Sequence, residues 1–508
     1  MPTRPNILIL MTDQQKATAI QMYGGQVPTP ALARLAARGT RYDQCYTPHP
    51  LCVPARVSFW TGRYPHRHGS RINEIPMPPG ETHCAGVLRD AGYTLALFGK
   101  DHCFREGDHA LFAHRYAFSH QGPDETANER EAEVVRWIRS GEPGLEGDAA
   151  GWEPSIYGRP RINPHAVEDC PTAILARRAV RFLEDHDPAG EPFCAWVSFP
   201  DPHEPYQCPA SYAAMHPPES VALPPWRDGE ADDANERTRV FRHLFGSDRL
   251  TEAQIRLMVS VYSGMIRFVD DAVGRILDAL ARRGLAENTI VVFCSDHGDY
   301  AGEHRAVVKS AAFYDCLTRV PLLVSWPGHL PEGATDTNLV SLLDVMPTAL
   351  GLAGVPVPPG LDGRMLPGTG ADPPRDAVFS EYGAGGPRLS LDDLPRLLAA
   401  GEHGRLPLLR WREAEGRPKM VRMGRYKYVY DPDDATDELY DLDADPWELT
   451  NRARNPDYAA VRGQLRDRLL DWAIRTEGGG ATPLYFDPIT GRNTTESFVP
   501  DAVAVPRG

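Results

Sequence analysis

Apolar residues along this chain follow two different periods. Five short runs are apolar almost throughout: 6–11 (NILILM), 93–98 (YTLALF), 193–199 (FCAWVSF), 289–294 (TIVVFC) and 320–325 (VPLLVS). Each has the length of a strand and no polar face, the pattern of a strand covered on both sides. Between them lie longer stretches with apolar residues three and four apart. Residues 29–38 (TPALARLAAR) read as a helix closed by Gly39 as a C-cap, and residues 171–186 as a second helix. The longest, 251–283, sets Ile255, Met258, Tyr262, Met265, Val269, Val273, Ile276 and Leu280 on one face. The alternation predicts an α/β fold: a large, mainly parallel sheet sandwiched by helices.

The pattern changes toward the C-terminus. Residues 355–375 (VPVPPGLDGRMLPGTGADPPR) are dense in Pro and Gly and read as a connecting loop. Residues 419–442 alternate between turn clusters, which predicts antiparallel strands. A helix follows near 456–475, with Val461, Leu465, Leu469 and Trp472 on one side. The expected division is a large α/β unit over 1–385 and a small α+β unit with a tail over 386–508. The last thirty residues carry little periodicity and are expected to wrap the body or a neighbouring subunit.

Composition narrows the function classes. The 508 residues are 42% apolar, enough for a large core, and the net charge of −15 argues against nucleic acid or an anionic membrane as partner. The first apolar run, Ile7–Met11, is too short for a signal segment or a span, and no other run reaches about 18 residues. A soluble, cytoplasmic protein is expected. The nine cysteines are scattered with no CxxC pair, so neither a disulfide framework nor a structural zinc site is expected.

Polar residues gather where the strands end. Run 6–11 leads into Thr12-Asp13-Gln14, 93–98 into Gly99-Lys100-Asp101-His102, 193–199 into Asp201-Pro202-His203, and 289–294 into Ser295-Asp296-His297-Gly298. Any one of these is an ordinary cap or turn. Four together, at the strand ends where open α/β sheets bind ligands, predict a divalent-cation site beside anion-binding cations. Asp13, Gln14, Asp296 and His297 offer hard oxygens plus one imidazole, a set suited to Mn²⁺, Ca²⁺ or Mg²⁺ rather than zinc.

The stretch HPLCVPARVSFWTGRYPHRHG, 49–69, places Cys52 before a helix that Pro54 opens and that ends near Gly62. Cys52 is expected just outside the helix N-terminus, where amide N–H groups favour negative charge, with Arg56 one turn in. A plain thiolate would be activated there. A buried, inert cysteine is the simpler reading and accounts poorly for the Pro and Arg spacing.

Cys52-Val53-Pro54-Ala55-Arg56 followed by Thr61-Gly62-Arg63 resembles the signature of type I, formylglycine-dependent sulfatases of the alkaline phosphatase superfamily. The resemblance runs through nearly the whole chain in order. Asp13 matches the first metal aspartate, Lys100-Asp101-His102 the G-K-x-H element and His203 in DPHEPY the mid-chain histidine. Asp296-His297 matches the second metal pair, Lys309 the lysine a dozen residues on, and ELYDLDADPWELTN, 438–451, is similar to the C-terminal signature. Gln14 and His297 stand where many sulfatases carry Asp and Asn. That combination also resembles phosphonate monoester hydrolases, and Asn73 resembles a substrate-contacting asparagine of those relatives. Lys100 and His102 match sulfatases instead.

The resemblance implies that a formylglycine-generating enzyme oxidises Cys52 to Cα-formylglycine, whose hydrate attacks the sulfur of a small anionic ester. It makes Asp13, Gln14, residue 52, Asp296 and His297 the metal ligands, with Asp296 also taking the attacking hydroxyl's proton. Lys100, Lys309 and Arg56 would neutralise the sulfate oxygens, His203 or Lys309 would protonate the leaving oxygen, and His102 would take the proton of the second hydroxyl. Asn73 would contact substrate, while Glu303 and His304 would be structural. The loops 103–165 and 383–418 are expected to form the substrate rim, and a homodimer or homotetramer is expected by analogy. Three alternatives stay open: a phosphonate monoester hydrolase or phosphodiesterase with the same nucleophile, a binder of sulfated ligands with unmodified Cys52, and a cysteine hydrolase.

Overall fold

Asn6–Thr12 is the first strand of the chain and lies in the middle of its largest sheet, with all seven residues buried. Successive side chains point to opposite faces. Ile7, Ile9 and Met11 enter a core shared with Val57, Trp60 and Leu350, whereas Leu8 and Leu10 enter one shared with Leu175, Met265 and Val273. A strand apolar at every position needs cover on both sides, and helices supply it. Cys52–Thr61, Cys84–Asp90 and Val345–Leu352 lie on one side, Pro30–Ala37, Pro171–Asp185 and Glu252–Arg282 on the other. The computed structural model describes residues 4–494 except 120–121, 124, 141–158, 231–233, 371, 389, 394, 396–411, 435–436, 478–484 and 488–491.

The sheet has nine strands, in the order Ala334–Ser341, Thr40–Tyr46, Leu322–Ser325, Thr289–Ser295, Asn6–Thr12, Phe193–Phe199, Thr94–Gly99, His114–Ser119 and Gly122–Pro123. Asn6–Thr12 pairs in parallel with both neighbours, and the parallel run continues to His114–Ser119. The sheet is mainly parallel, as expected. Run 320–325 is shorter than read and reversed, since Leu322–Ser325 is antiparallel to both of its neighbours. Thr40–Tyr46 (TRYDQCY), His114–Ser119 (HRYAFS) and Ala334–Ser341 (ATDTNLVS) are strands that the hydrophobic pattern does not reveal. They lie toward the sheet's flanks, keep partly exposed positions and so carry polar residues.

The helices are close to their expected spans. Pro30–Ala37 receives a carboxylate at its N-terminus: Asp270 of the long helix accepts hydrogen bonds from Ala31 N at 3.0 Å and Leu32 N at 2.9 Å. Gly39 is not the cap that was expected. Arg38 closes the helix, and Gly39 is small because a Cβ there would stand 2.3 Å from the Val324 carbonyl oxygen of the adjoining strand.

A second sheet of four antiparallel strands runs Ala377–Glu381, Lys419–Met423, Tyr426–Tyr430 and Glu438–Asp441. Its first strand comes from upstream of residue 386. The helix Ala459–Thr476 packs Leu465, Leu469 and Trp472 against Phe379, Val421 and Tyr428, with Trp472 stacked on Phe379 at 4.7 Å between ring centroids. Apart from the hairpin strands Tyr485–Asp487 and Arg492–Thr494, the tail expected to wrap the body lies outside the described residues. No helix among the described residues is long and apolar enough to cross a membrane.

The small sheet is bolted to the large unit by a buried cation. Lys427 Nζ donates to Phe313 O at 2.9 Å and pairs with Asp315 at 2.5 Å and Glu448 at 2.7 Å, with no exposure of its side chain. Lys427→Ala leaves two buried carboxylates without their cation, an expected loss of about 3–5 kcal/mol. A urea midpoint unchanged from the wild type would show that the contact does not hold the two parts together.

Candidate active site

The carboxyl ends of four neighbouring strands deliver Asp13, Asp296, Lys100 and the loop carrying His203 to one place. Register does this: Thr12 pairs with Ser295 and Gly99 with Ser198, so the residues that follow emerge side by side. Against them stands the N-terminus of Cys52–Thr61. This helix begins two residues earlier than expected, with Leu51 as N-cap, so Cys52 is its first residue and Pro54 its third. Pro is tolerated throughout the first turn, whose N–H groups have no intrahelical acceptor.

Cys52, Asp13, Asp296 and His297 bring a ligand atom each within 4.8 Å of one another, all buried. Cys52 Sγ lies 3.1 Å from His297 Nε2 and 3.5 Å from Asp13 Oδ1. Burial and the Asp13 charge push the thiol up to about 12 against the pull of Lys100 and Lys309. Burial and Asp13 thus oppose the activation expected at a helix N-terminus.

The donor set accepts a cation. Burial pushes His297 down to about 4, so its ring is neutral. Nδ1 donates to Gly298 O at 2.9 Å, which leaves the Nε2 lone pair aimed at Cys52 and Asp13. A second ring nitrogen fixed on a carbonyl is the usual arrangement of a ligating histidine. Gly298 itself must be glycine, because a Cβ there would lie 1.9 Å from Cys316 O. Asp296 Oδ1 accepts from the N–H groups of Gln14 at 3.0 Å and His297 at 2.9 Å.

Arg56 is fully buried and spends its donors on the site's frame. Nε donates to Asp296 Oδ2 at 2.8 Å, Nη2 to Asp13 Oδ2 at 3.3 Å, and Nη1 to Lys100 O at 2.8 Å and Ser198 Oγ at 2.7 Å. It therefore stands behind the carboxylates rather than along the cavity. Lys100 Nζ also pairs with Asp13 Oδ2. Lys309 Nζ donates to Gln14 Oε1 and His203 Nε2, both at 2.6 Å. His203 Nδ1 donates to Glu204 O at 2.5 Å. Gln14 Nε2 donates to Glu204 at 2.7 Å and Asp299 at 2.5 Å. Gln14, His102 and Val308 hold positive φ of 66°, 59° and 59°, strain that concentrates around this site.

A cavity of about 240 Å³ opens over Cys52 and is lined by His102, His203 and Lys309. His102 is exposed at the cavity mouth, and the surrounding protein, then the Lys100 and Arg56 charges, shift it below its ordinary value. Asn73 also lines the cavity, and its side chain bridges Val53 N at 3.1 Å and Glu413 at 2.7 Å. Of the two expected rim loops, 383–418 contributes Arg412 and Glu413, and 103–165 contributes no lining residue among the described residues. Glu204, Asp299 and Glu413 are site residues that sequence reasoning missed. Glu204 and Asp299 sit one and two residues from flagged histidines, the one signal available. Glu303 pairs with Lys16 at 2.7 Å and His304 stacks on Tyr314 at 3.8 Å, in keeping with structural roles.

Comparison with known proteins agrees with this geometry. The Sulfatase family model matches residues 5–355. The chain is 31% identical to the choline-sulfatase of Rhizobium meliloti over 89% of this chain and 83% of that one. It is 26% identical to the arylsulfatase of Clostridium perfringens over 92% of this chain and 94% of that one. The crystal structure of the phosphonate monoester hydrolase of Agrobacterium radiobacter superposes with a TM-score of 0.74 at 26% identity, covering 95% of this chain and 98% of that one.

Asp13→Asn and His297→Ala are each expected to weaken Mn²⁺ binding by about tenfold or more. Isothermal calorimetry on the purified protein checks this, and unchanged affinity in both variants would remove the cluster as a cation site.

Proposed function

The chain belongs to the sulfatase family and is a sulfuric ester hydrolase, and from that premise we propose that it cleaves sulfate monoesters at residue 52, matured from cysteine to Cα-formylglycine, beside one divalent cation. The observation that carries this reading is the convergence on Cys52 of a neutral imidazole and two buried carboxylates, under a cavity lined by Lys309, His203 and His102. Formylglycine supplies, as its hydrate, two hydroxyls on one carbon, one to attack sulfur and one to expel sulfate. Mn²⁺, Ca²⁺ or Mg²⁺, held by Asp13, Asp296, His297 and residue 52 with Gln14 as a further oxygen donor, supplies positive charge and acidifies a hydroxyl.

The chain's own residues do the rest. Arg56 holds Asp13 and Asp296 in place and is a positioning residue. Lys100 and Lys309 set positive charge where the ester's oxygens gather negative charge. Asp296 receives the proton of the attacking hydroxyl. Lys309, whose ammonium donates to His203 Nε2, or His203 once it has taken that proton, delivers a proton to the leaving oxygen. His102, neutral at working pH, accepts the proton of the second hydroxyl. Asn73 ties the helix start to the far cavity wall. A formylglycine-generating enzyme is the partner that matures residue 52. Attack on phosphonate monoesters is a second reading, favoured by Gln14, His297 and the likeness to a phosphonate monoester hydrolase. Lys100 and His102 favour sulfate.

Matured enzyme is expected to release sulfate from 4-nitrophenyl sulfate faster than phenol from phenyl phenylphosphonate, and to stop when EDTA removes the cation. Lys309→Ala is expected to lower kcat by about 10²–10³, and Cys52→Ala to abolish turnover. Faster phosphonate cleavage would favour the second reading, and turnover by Cys52→Ala would overturn both.

A further inference from the structure

The side-chain amide of Gln14 has two unlike ends of nearly equal size, and only the oxygen end can bind a cation. The backbone around it is fixed. Gln14 N donates to Asp296 Oδ1 at 3.0 Å, and Gln14 O accepts from the Tyr262 hydroxyl at 2.8 Å. Whether the amide serves the cation then depends on which way round it is held.

Three contacts set that direction. Nε2 donates to Glu204 Oε2 at 2.7 Å and to Asp299 Oδ2 at 2.5 Å, which uses both of its hydrogens. Oε1 accepts from Lys309 Nζ at 2.6 Å and has a second lone pair to offer. Reversing the amide would set its oxygen against two acid oxygens and its N–H groups against an ammonium. Asp299 is itself held in place. Oδ2 also accepts from the Tyr206 hydroxyl at 2.6 Å, and Oδ1 accepts from Ala301 N at 2.6 Å. The Tyr206 oxygen accepts in turn from Val308 N at 3.0 Å. Gln14, Glu204, Tyr206 and Asp299 are all buried. Oδ2 accepts in the ionised acid and in the neutral one alike, so the contact does not rest on the charge of Asp299.

Neither acid belongs to the four-residue cation cluster. Burying acids is costly unless their oxygens are matched by donors, and the Gln14 amide is a donor that both share. We propose that Glu204 and Asp299 are positioning residues that lock the Gln14 amide, so that its oxygen faces Lys309 and the cation as a neutral donor. The lock joins two parts of the site, because the oxygen offered to the cation is the one that holds the Lys309 ammonium. The proposal rests on the cation reading of the site given above.

The test uses mature enzyme stripped of metal with EDTA and titrated with Mn²⁺ by isothermal calorimetry. Gln14→Glu adds a negative charge beside the cation, which alone would tighten binding. The lock predicts the reverse: the added oxygen meets the Glu204 and Asp299 oxygens, and Mn²⁺ binds more weakly by about tenfold or more. The doubles Q14E/D299N and Q14E/E204Q set an N–H opposite that oxygen and are expected to bind more tightly than Q14E. A merely structural loss would deepen with each substitution instead of reversing. Glu204→Met, at the cavity wall, removes one acceptor and is expected to weaken Mn²⁺ binding several-fold, which keeps the test decisive should Q14E fail to fold. Binding by Q14E as tight as the wild type or tighter, or wild-type affinity in Glu204→Met, overturns the proposal and leaves the cation site standing. Doubles no tighter than Q14E overturn the assignment to these two acids. Wild-type enzyme that binds neither Mn²⁺ nor, in a parallel titration, Ca²⁺ overturns the cation reading and the proposal together.

Discussion

One guanidinium joins the ends of four adjacent strands. Arg56 reaches Asp13 after Asn6–Thr12, Asp296 after Thr289–Ser295, Ser198 within Phe193–Phe199, and the Lys100 carbonyl after Thr94–Gly99. Its own side chain and both carboxylates are at most 1% exposed. Two carboxylates so buried repel each other and lose their hydration, which is tolerable only with a cation held in good geometry. Arginine suits the task because it stays charged in any setting and its planar fork serves several acceptors at once. Its ring neighbour Trp196, 5.7 Å from the guanidinium, closes the site toward the core.

The rest of the site follows from that clamp. Cys52 lies four residues before Arg56 on the same helix, so a fixed Arg56 sets residue 52 against Asp13 and His297. Asn73 accepts from the second N–H of that helix and carries the constraint to Glu413. The Lys309–His203 pair is tied to the same centre through Gln14, whose backbone N–H bonds Asp296. Frame, nucleophile position and cavity wall form one connected network, so a change at Arg56 is felt at each of them.

Much of this was legible in the sequence for a definite reason. Strands covered on both faces must be apolar throughout, and polar residues placed just after them stand out by contrast; Asp13, Lys100, His203 and Asp296 were found in this way. Thr40–Tyr46 was not, because a partly exposed strand keeps polar residues that erase the apolar run. The start of the nucleophile helix was misjudged by two residues, because Pro54 suits any position in a first turn and takes the third. At Cys52 the sequence shows the helix N-terminus but not the burial or the Asp13 charge, which act on the thiol in the opposite direction. Glu413 had no signal at all. It meets Asn73 across 340 residues of chain, from a segment without periodicity. The division at 385/386 likewise followed composition, whereas Ala377–Glu381 pairs with Lys419–Met423 across it.

Mass spectrometry of the tryptic peptide spanning residues 42–56, from enzyme that turns over sulfate ester, bears most directly on the nucleophile. The peptide holds Cys45 as an internal reference thiol. The expected result is an aldehyde at residue 52, trapped by a hydrazine, with Cys45 still alkylated as a thiol. An unmodified thiol at residue 52 in turnover-competent enzyme would contradict the formylglycine mechanism and leave the clamp around Arg56 in need of another nucleophile.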